Sequence, residues 1–141
     1  MAETAVIVTE PRLTAFLVDA LQAMKMPRER AVITAGLMVR TDLRGVDSHG
    51  IDMLPRYHEL WHTGFIVMDA DPVLVKDSMA TGLYDGAKGL GHYVSTLAMR
   101  LAIEKARTYG VGIVGVRNSG HFGAAANYSM MALAHDMIGL S

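Results

Sequence analysis

Apolar residues in the first sixty positions recur at the spacing of amphipathic helices. Thr9 followed by Glu10 and Pro11 marks a helix start, and Leu13, Phe16, Leu17, Ala20, Leu21 and Met24 then share one face. That helix is expected to end near Met26 and Pro27. Pro27 opens a second helix through Ala31, Ala35, Leu37 and Met38, expected to stop at Gly45, since glycine takes the left-handed cap conformation at little cost. Gly45 to Gly50 form a turn. A third helix is expected from Ile51 or Leu54, with Pro55 near its start, to Gly64.

The texture changes at Phe65. Runs at Phe65 to Met68 and Val73 to Val75, followed by Gly82, Gly86, Gly89 and Gly91, predict short strands and turns. A long helix follows, with Val94, Leu97, Ala98, Leu101, Ala102 and Ala106 spaced for a buried stripe, and it ends at Tyr109 and Gly110. Val111 to Val116 reads as a buried strand, Arg117 to Phe122 as a loop, Gly123 to about Asp136 as a helix, and Met137 to Leu140 as a last strand. This rhythm is that of an α/β sheet with crossover helices. The expected organisation is a helical segment over 1–64 and the start of an α/β domain over 65–141. Ser141 follows the last predicted strand without a turn or polar tail, which would leave an unpaired apolar edge. A truncated piece of a longer chain is therefore expected.

Composition narrows the class. A chain of 141 residues fits one domain, or a small domain and part of a second. With 51% apolar residues, 19% charged residues and a net charge of -1, it belongs with ordinary folded proteins. No basic surplus calls for nucleic acid. The absence of cysteine removes disulfides, thiolate zinc sites and a cysteine nucleophile. The N-terminus MAETAVIVTEPR lacks the basic and apolar regions of a signal peptide, and no stretch approaches the roughly 18 apolar residues of a spanning helix. A cytoplasmic protein without a membrane partner is expected.

Three motifs could carry chemistry. Arg44-Gly45-Val46-Asp47-Ser48-His49-Gly50 sets a histidine beside a hydroxyl and a carboxylate, the parts for proton transfer to a carbonyl or alcohol. Alternatively, Asp47 and Ser48 only cap the next helix and His49 is exposed. Asn118-Ser119-Gly120-His121-Phe122-Gly123 lies where a strand leads into a helix, the usual ligand position of an α/β sheet. Gly120 and Gly123 would let backbone approach a substrate or cofactor closely, with His121 between them; a connector with an incidental histidine is the plainer reading. The loop lacks G-x-G-x-x-G spacing, so a Rossmann fingerprint is excluded. His58-Glu59-Leu60-Trp61-His62 matches the H-E-x-x-H pattern of zinc hydrolases. Its helix is expected to end within a turn, at Gly64, and no third ligand follows, so two solvated histidines are expected and no metal. His92 reads as a surface or capping residue, His135 as a complement to a helix dipole, and the eleven methionines as core filling.

With Asp47-Ser48-His49-Gly50, Leu54-Pro55-Arg56-Tyr57, Gly89-Leu90-Gly91 and the Asn118 to Gly123 loop in this order, the chain resembles the type-2 malate/L-lactate dehydrogenases from about Leu13 to Ser141. The resemblance covers well under half of a typical member. It implies a homodimeric oxidoreductase using NAD or NADP on a 2-hydroxy, 2-oxo or 2-imino acid, with a helical N-terminal piece and a non-Rossmann mixed sheet domain. In such enzymes the proton donor/acceptor role falls on the histidine matching His121 in some members and on the one matching His49 in others; here it is expected of His121 first, with His49 polarising the same oxygen or exchanging roles with it. Ser48 and Asp47 would orient His49, and Ser48 and Tyr57 match positions that line the substrate pocket. Gly120 and Gly123 are the expected cofactor contacts. Members often read S-H-G-x-x-R, the arginine pairing with the substrate carboxylate, but here that position is Met53. Arg56 or a residue beyond the chain is expected to replace it, or the substrate differs. Much of the nucleotide site is expected from sequence after Ser141, so the piece alone is expected to be inactive. The competing expectation is a noncatalytic relative that keeps the N-terminal fold and binds no nucleotide.

Overall fold

The computed structural model describes residues 7–141, so the first half of the stretch read above for a signal peptide, residues 1–6, lies outside the described residues. Helices α1 (Glu10–Ala23) and α2 (Arg28–Asp42) pack along each other. Leu17, Val18 and Leu21 are the buried face of α1, whereas Phe16, expected on that face, is 55% exposed. Ala31, Ala35 and Met38 of α2 are fully buried, and the two small side chains let the helices approach closely. Tyr57 from α3 (Leu54–His62), together with Ile66, Met68 and Leu90, completes this core. Fully burying one Leu or Met side chain contributes roughly 1.5–3 kcal/mol. The cluster therefore fixes α3, and Tyr57 with it.

The strand expected at Phe65 to Met68 is absent. Ile66 and Met68 do alternate into the core, but no neighbouring strand pairs with them; the N–H groups of Phe65 and Ile66 turn back to the Leu60 carbonyl, and that of Val67 donates to the carbonyl of Lys88 at 2.9 Å. Arg30 holds the turn that follows. Its guanidinium donates to the carbonyls of Asp69 and Ala70, meets the Asp71 carboxylate at 2.6 Å, and lies 5.1 Å over the Tyr93 ring.

Three strands form a mixed sheet in the order β1 (Val73–Asp77), β2 (Thr81–Asp85), β3 (Ile113–Arg117). The first pair is antiparallel with an irregularity between Leu74 and Lys76, and the second is parallel. A parallel pair needs a crossover, supplied here by α4 (Gly91–Tyr109), which ends where expected with Gly110 at φ 80°. Strand β2 falls on residues expected to turn. Gly82 is a strand residue against which α4 packs closely: a Cβ there would lie 3.2 Å from Cδ2 of Leu101. Strand β3 is found but is not buried, since Ile113 is 64% exposed.

The helix expected from Gly123 to Asp136 is only a turn, α5 (Ala126–Ser129), continued by a tighter 3-10 run over Met130–His135 that Asp136 ends at φ 56°. Met137 to Leu140 form no strand. Ile138 and Leu140 are 93% and 86% exposed, and β-structure at these residues lacks a neighbour to supply the ladder. A groove of about 910 Å³, lined by residues such as Ala102, Ile103, Val114 and Leu140, runs between α4, β3 and this tail. Of the methionines, Met24, Met26, Met38 and Met68 fill the core, while Met79 and Met130 are exposed. Among the described residues no helix is long and apolar enough to cross a membrane.

Candidate active site

The parallel pairing of β2 and β3 continues past the ends of both strands. Gly86 N–H donates to Arg117 O (2.9 Å), Lys88 N–H to Asn118 O (2.8 Å), Gly120 N–H to Gly89 O (2.8 Å) and Gly91 N–H to His121 O (2.9 Å). This strip delivers His121 and the first turn of α4 to one place at the carboxyl end of the sheet. Asp85 secures its beginning by accepting from Ala87 N–H, Arg117 Nε and Asn118 Nδ2 at 2.9–3.0 Å. These bonds hold its carboxyl below the ordinary range, the Ala87 N–H contributing most. Asn118, Ala87 and Lys88 all sit at positive φ, so strain collects along the strip.

The second histidine arrives from the other side. After α2, residues Asp47–His49 make a 3-10 turn, and the Asp42 carboxylate accepts the Ile51 N–H at 2.9 Å, which ties the turn back to the helix. Ser48 Oγ lies 2.9 Å from Nδ1 of His49. Asn127 of α5 is buried and donates to Thr41 Oγ1 (2.9 Å) and Leu37 O (3.2 Å), which binds the segment beyond His121 to α2. The Tyr128 hydroxyl anchors the same segment on the carbonyl of Phe122.

These constraints bring His49 and His121 to a ring separation of 5.4 Å. The Tyr57 hydroxyl meets Nδ1 of His121 at 2.8 Å, and the Gly123 N–H approaches the same nitrogen at 3.4 Å. Nε2 of His121 has no hydrogen bond among the described residues and the ring is half-buried, so one nitrogen is held and the other is free. Burial, and then the neighbouring His49, push the His121 imidazole below the ordinary histidine range. Burial raises the Tyr57 phenol well above its ordinary value, so it stays protonated. A permanent hydroxyl, an imidazole that prefers to be neutral and a second imidazole form a centre that can give and take one proton near neutral pH.

The other candidates are placed as follows. Asp47 makes no hydrogen bond to His49 among the described residues; Ser48 alone touches the ring. Arg56 is exposed and pairs with Glu59 at 2.5 Å on α3, one residue from Tyr57 but engaged on another face. Met53 packs against the core. The space a side chain would need at Gly120 is bounded by Gly89 O and Ile66, and at Gly123 by the His92 ring, so both glycines are packed against protein. His58 and His62 stack at 6.2 Å, with Glu59 held by Arg56. Among the described residues no cluster of three His, Asp or Glu side chains gathers for a metal ion. His135 lies 2.7 Å from the Arg107 guanidinium.

His92 was missed by the sequence reading. It is not a surface residue: it is 1% exposed, between Tyr57 (ring centroids 5.7 Å apart, edge to face) and His121 (6.5 Å). Among the described residues neither ring nitrogen has a hydrogen-bond partner. Burial, reinforced by His121, pushes this imidazole down to about 3. The available signal was Gly91 before it and Gly123 later in the chain, two positions whose missing side chains leave room for this packing.

The sequence model of the malate/L-lactate dehydrogenase family matches residues 8–141. An L-sulfolactate dehydrogenase of Methanocaldococcus jannaschii is 45% identical over 125 residues, 89% of this chain and 36% of that protein. A malate dehydrogenase of Pyrococcus abyssi is 40% identical over 139 residues, 99% of this chain and 38% of that protein. The solved malate dehydrogenase of Pyrococcus horikoshii superposes with a TM-score of 0.89 at 39% identity, over 94% of this chain and 38% of the other. The chain thus spans little more than a third of the length of these relatives.

Proposed function

Because the chain belongs to the malate/L-lactate dehydrogenase family, we propose that it carries the proton-handling part of an NAD- or NADP-dependent dehydrogenase acting on a 2-hydroxy, 2-oxo or 2-imino acid. The observation that carries this reading is the Tyr57 hydroxyl on Nδ1 of His121, with His49 beside it. In the reduction, hydride adds to C2 of the oxo acid, the carbonyl π pair moves to oxygen, and that oxygen takes a proton from Nε2 of His121. In the oxidation the same nitrogen receives the hydroxyl proton. Tyr57 accepts from Nδ1–H in both directions, so the ring passes between imidazolium and neutral imidazole at Nε2 without turning. His49, steadied by Ser48, polarises the same oxygen. Asp47 acts on His49 only through the shape of their shared turn.

A bound nicotinamide supplies or accepts the hydride. What supports its ring end here is His121, with Nε2 free on a half-buried ring; Gly120 and Gly123, packed against protein on their Cβ side, would meet it only through the backbone of the loop. None of the described residues is assigned to its diphosphate. The substrate carboxylate needs a cation, and Arg56, released from Glu59, is the candidate in α3. The names of the relatives favour malate or sulfolactate, and their oxo forms, as substrates. The working unit in this reading is a cytoplasmic homodimer.

The test is a titration with NADH and NADPH that follows nicotinamide fluorescence, continued with oxaloacetate and sulfopyruvate. Saturable binding and oxidation of the nucleotide on adding the acid are expected when these residues stand in a chain of the relatives' full length, of which they span little more than a third. No saturation with either nucleotide would contradict the reading and favour a noncatalytic relative.

A further inference from the structure

We propose that His92 is a positioning residue for His121: its ring, wedged between Tyr57 and Gly123, holds the Tyr57 hydroxyl on Nδ1 of His121 and so fixes the single ring form in which His121 meets the substrate. The inference rests on His121 as the proton-carrying residue of the proposed reaction. Its ground is geometric. The Tyr57 side chain is fully buried, and the His92 ring stands 80° to it at 5.7 Å, the separation of an edge-to-face contact. The His92 ring also fills the space over Gly123, where a Cβ would come within 2.6 Å of Nε2. Residue 92 itself is fixed from behind. Gly91 N–H is bonded to His121 O, and the Thr96 hydroxyl donates to the carbonyl of His92. The wedge therefore has a rigid base, and Tyr57 has no room to tip away from His121.

Both ring nitrogens of this buried histidine are without a hydrogen-bond partner among the described residues, which costs desolvation that is not recovered. Three groups that titrate or hydrogen-bond lie around it: Tyr57 on α3, His121 on the loop and, beyond His121, His49. A ring that remains uncharged can sit against this group without competing for its proton. The His92 ring lies directly over Gly123.

The test is nitrogen-15 spectroscopy of the imidazoles in the full chain, with and without substitution. In the native chain the two nitrogens of His121 should report one tautomer, and ring protons of His92 and Tyr57 should show mutual Overhauser contacts. A His121 signal averaged over both tautomers would overturn the proposal at once. His92→Ala should turn the His121 signals into such an average, matching the spectrum of Tyr57→Phe. His92→Phe keeps a flat wedge and should preserve the native form. A folded His92→Ala chain with native His121 signals would refute the idea, as would a folded His92→Phe chain that loses them. Where turnover is measurable, His92→Ala should lower kcat by about 10-fold, or roughly 1.4 kcal/mol, with KM almost unchanged. The spectra need no turnover. A single His121 tautomer in a chain without dehydrogenase activity would count against the proposed reaction and leave the positioning role standing.

Discussion

Gly123→Ala probes the joint between His92 and the loop that carries His121. Two costs add. Gly123 has φ 74°, and placing an L side chain in the left-handed region costs roughly 1–2 kcal/mol. The new methyl group would also come within 2.6 Å of His92 Nε2, and a core that cannot relax around an overpacked atom loses typically about 1–3 kcal/mol. His92 is too deeply buried to retreat freely, so about 3 kcal/mol is expected in all. A domain of 141 residues has an unfolding entropy of about 0.3 kcal/mol/K, so the midpoint should fall by about 10 °C. Gly110→Ala is the control: φ is 80° but nothing lies within 4 Å of its Cβ, so only the backbone cost, about 1–2 kcal/mol, should appear. Thermal unfolding followed by circular dichroism measures both. Combining Gly123→Ala with His92→Ala should recover part of the loss, since one removes what the other collides with. Equal midpoint shifts for Gly123→Ala and Gly110→Ala would refute the packing account of this joint.

Three further outcomes follow from the same geometry. His92 is held near 3 in the folded chain against an ordinary 6.5. Below pH 6.5 the unfolded chain therefore takes up a proton that the folded one refuses, and stability should fall with pH, by about 2 kcal/mol from this group at pH 5; urea unfolding at pH 8 and pH 5 should reveal the slope, and His92→Phe should flatten it. Tyr57→Phe should cost about 1 kcal/mol of stability through the lost hydrogen bond, and in turnover assays kcat should suffer more than KM. Ala87 sits at φ 51° beside the strip that leads to His121, and Ala87→Gly should raise stability by about 1 kcal/mol, detectable as a higher melting midpoint.

The sequence made His49 and His121 visible because each stands in a polar, glycine-flanked turn between regular elements, a setting that folding alone does not demand. Tyr57 became a candidate only through the family resemblance, because an isolated tyrosine on a helix has no periodic signature. His92 was hidden for the opposite reason: two residues into a helix and one helical step from buried Thr96, it lies on a polar line that apolar periodicity overlooks. The helices α1 to α4 were legible because core packing reinforces their own patterns. Strand β2 was not, since Gly82 resembles a turn residue until α4 is seen lying close against it. Met137 to Leu140 have the composition of a strand, yet a strand exists only with a neighbour to supply hydrogen bonds, and local sequence does not say whether one is present.

The central claim is that His121 moves the proton. The direct measurement is oxo-acid-dependent oxidation of NADH or NADPH by a chain of the relatives' full length that contains these residues, in its native form and with His121→Gln or His58→Gln. General acid–base catalysis by one positioned side chain contributes typically about 10²- to 10⁴-fold, so His121→Gln should lose at least the lower figure in kcat. His58, outside the cluster and stacked on His62, should be replaceable without effect. His121→Gln retaining activity within about threefold of native, well short of that range, would contradict the account.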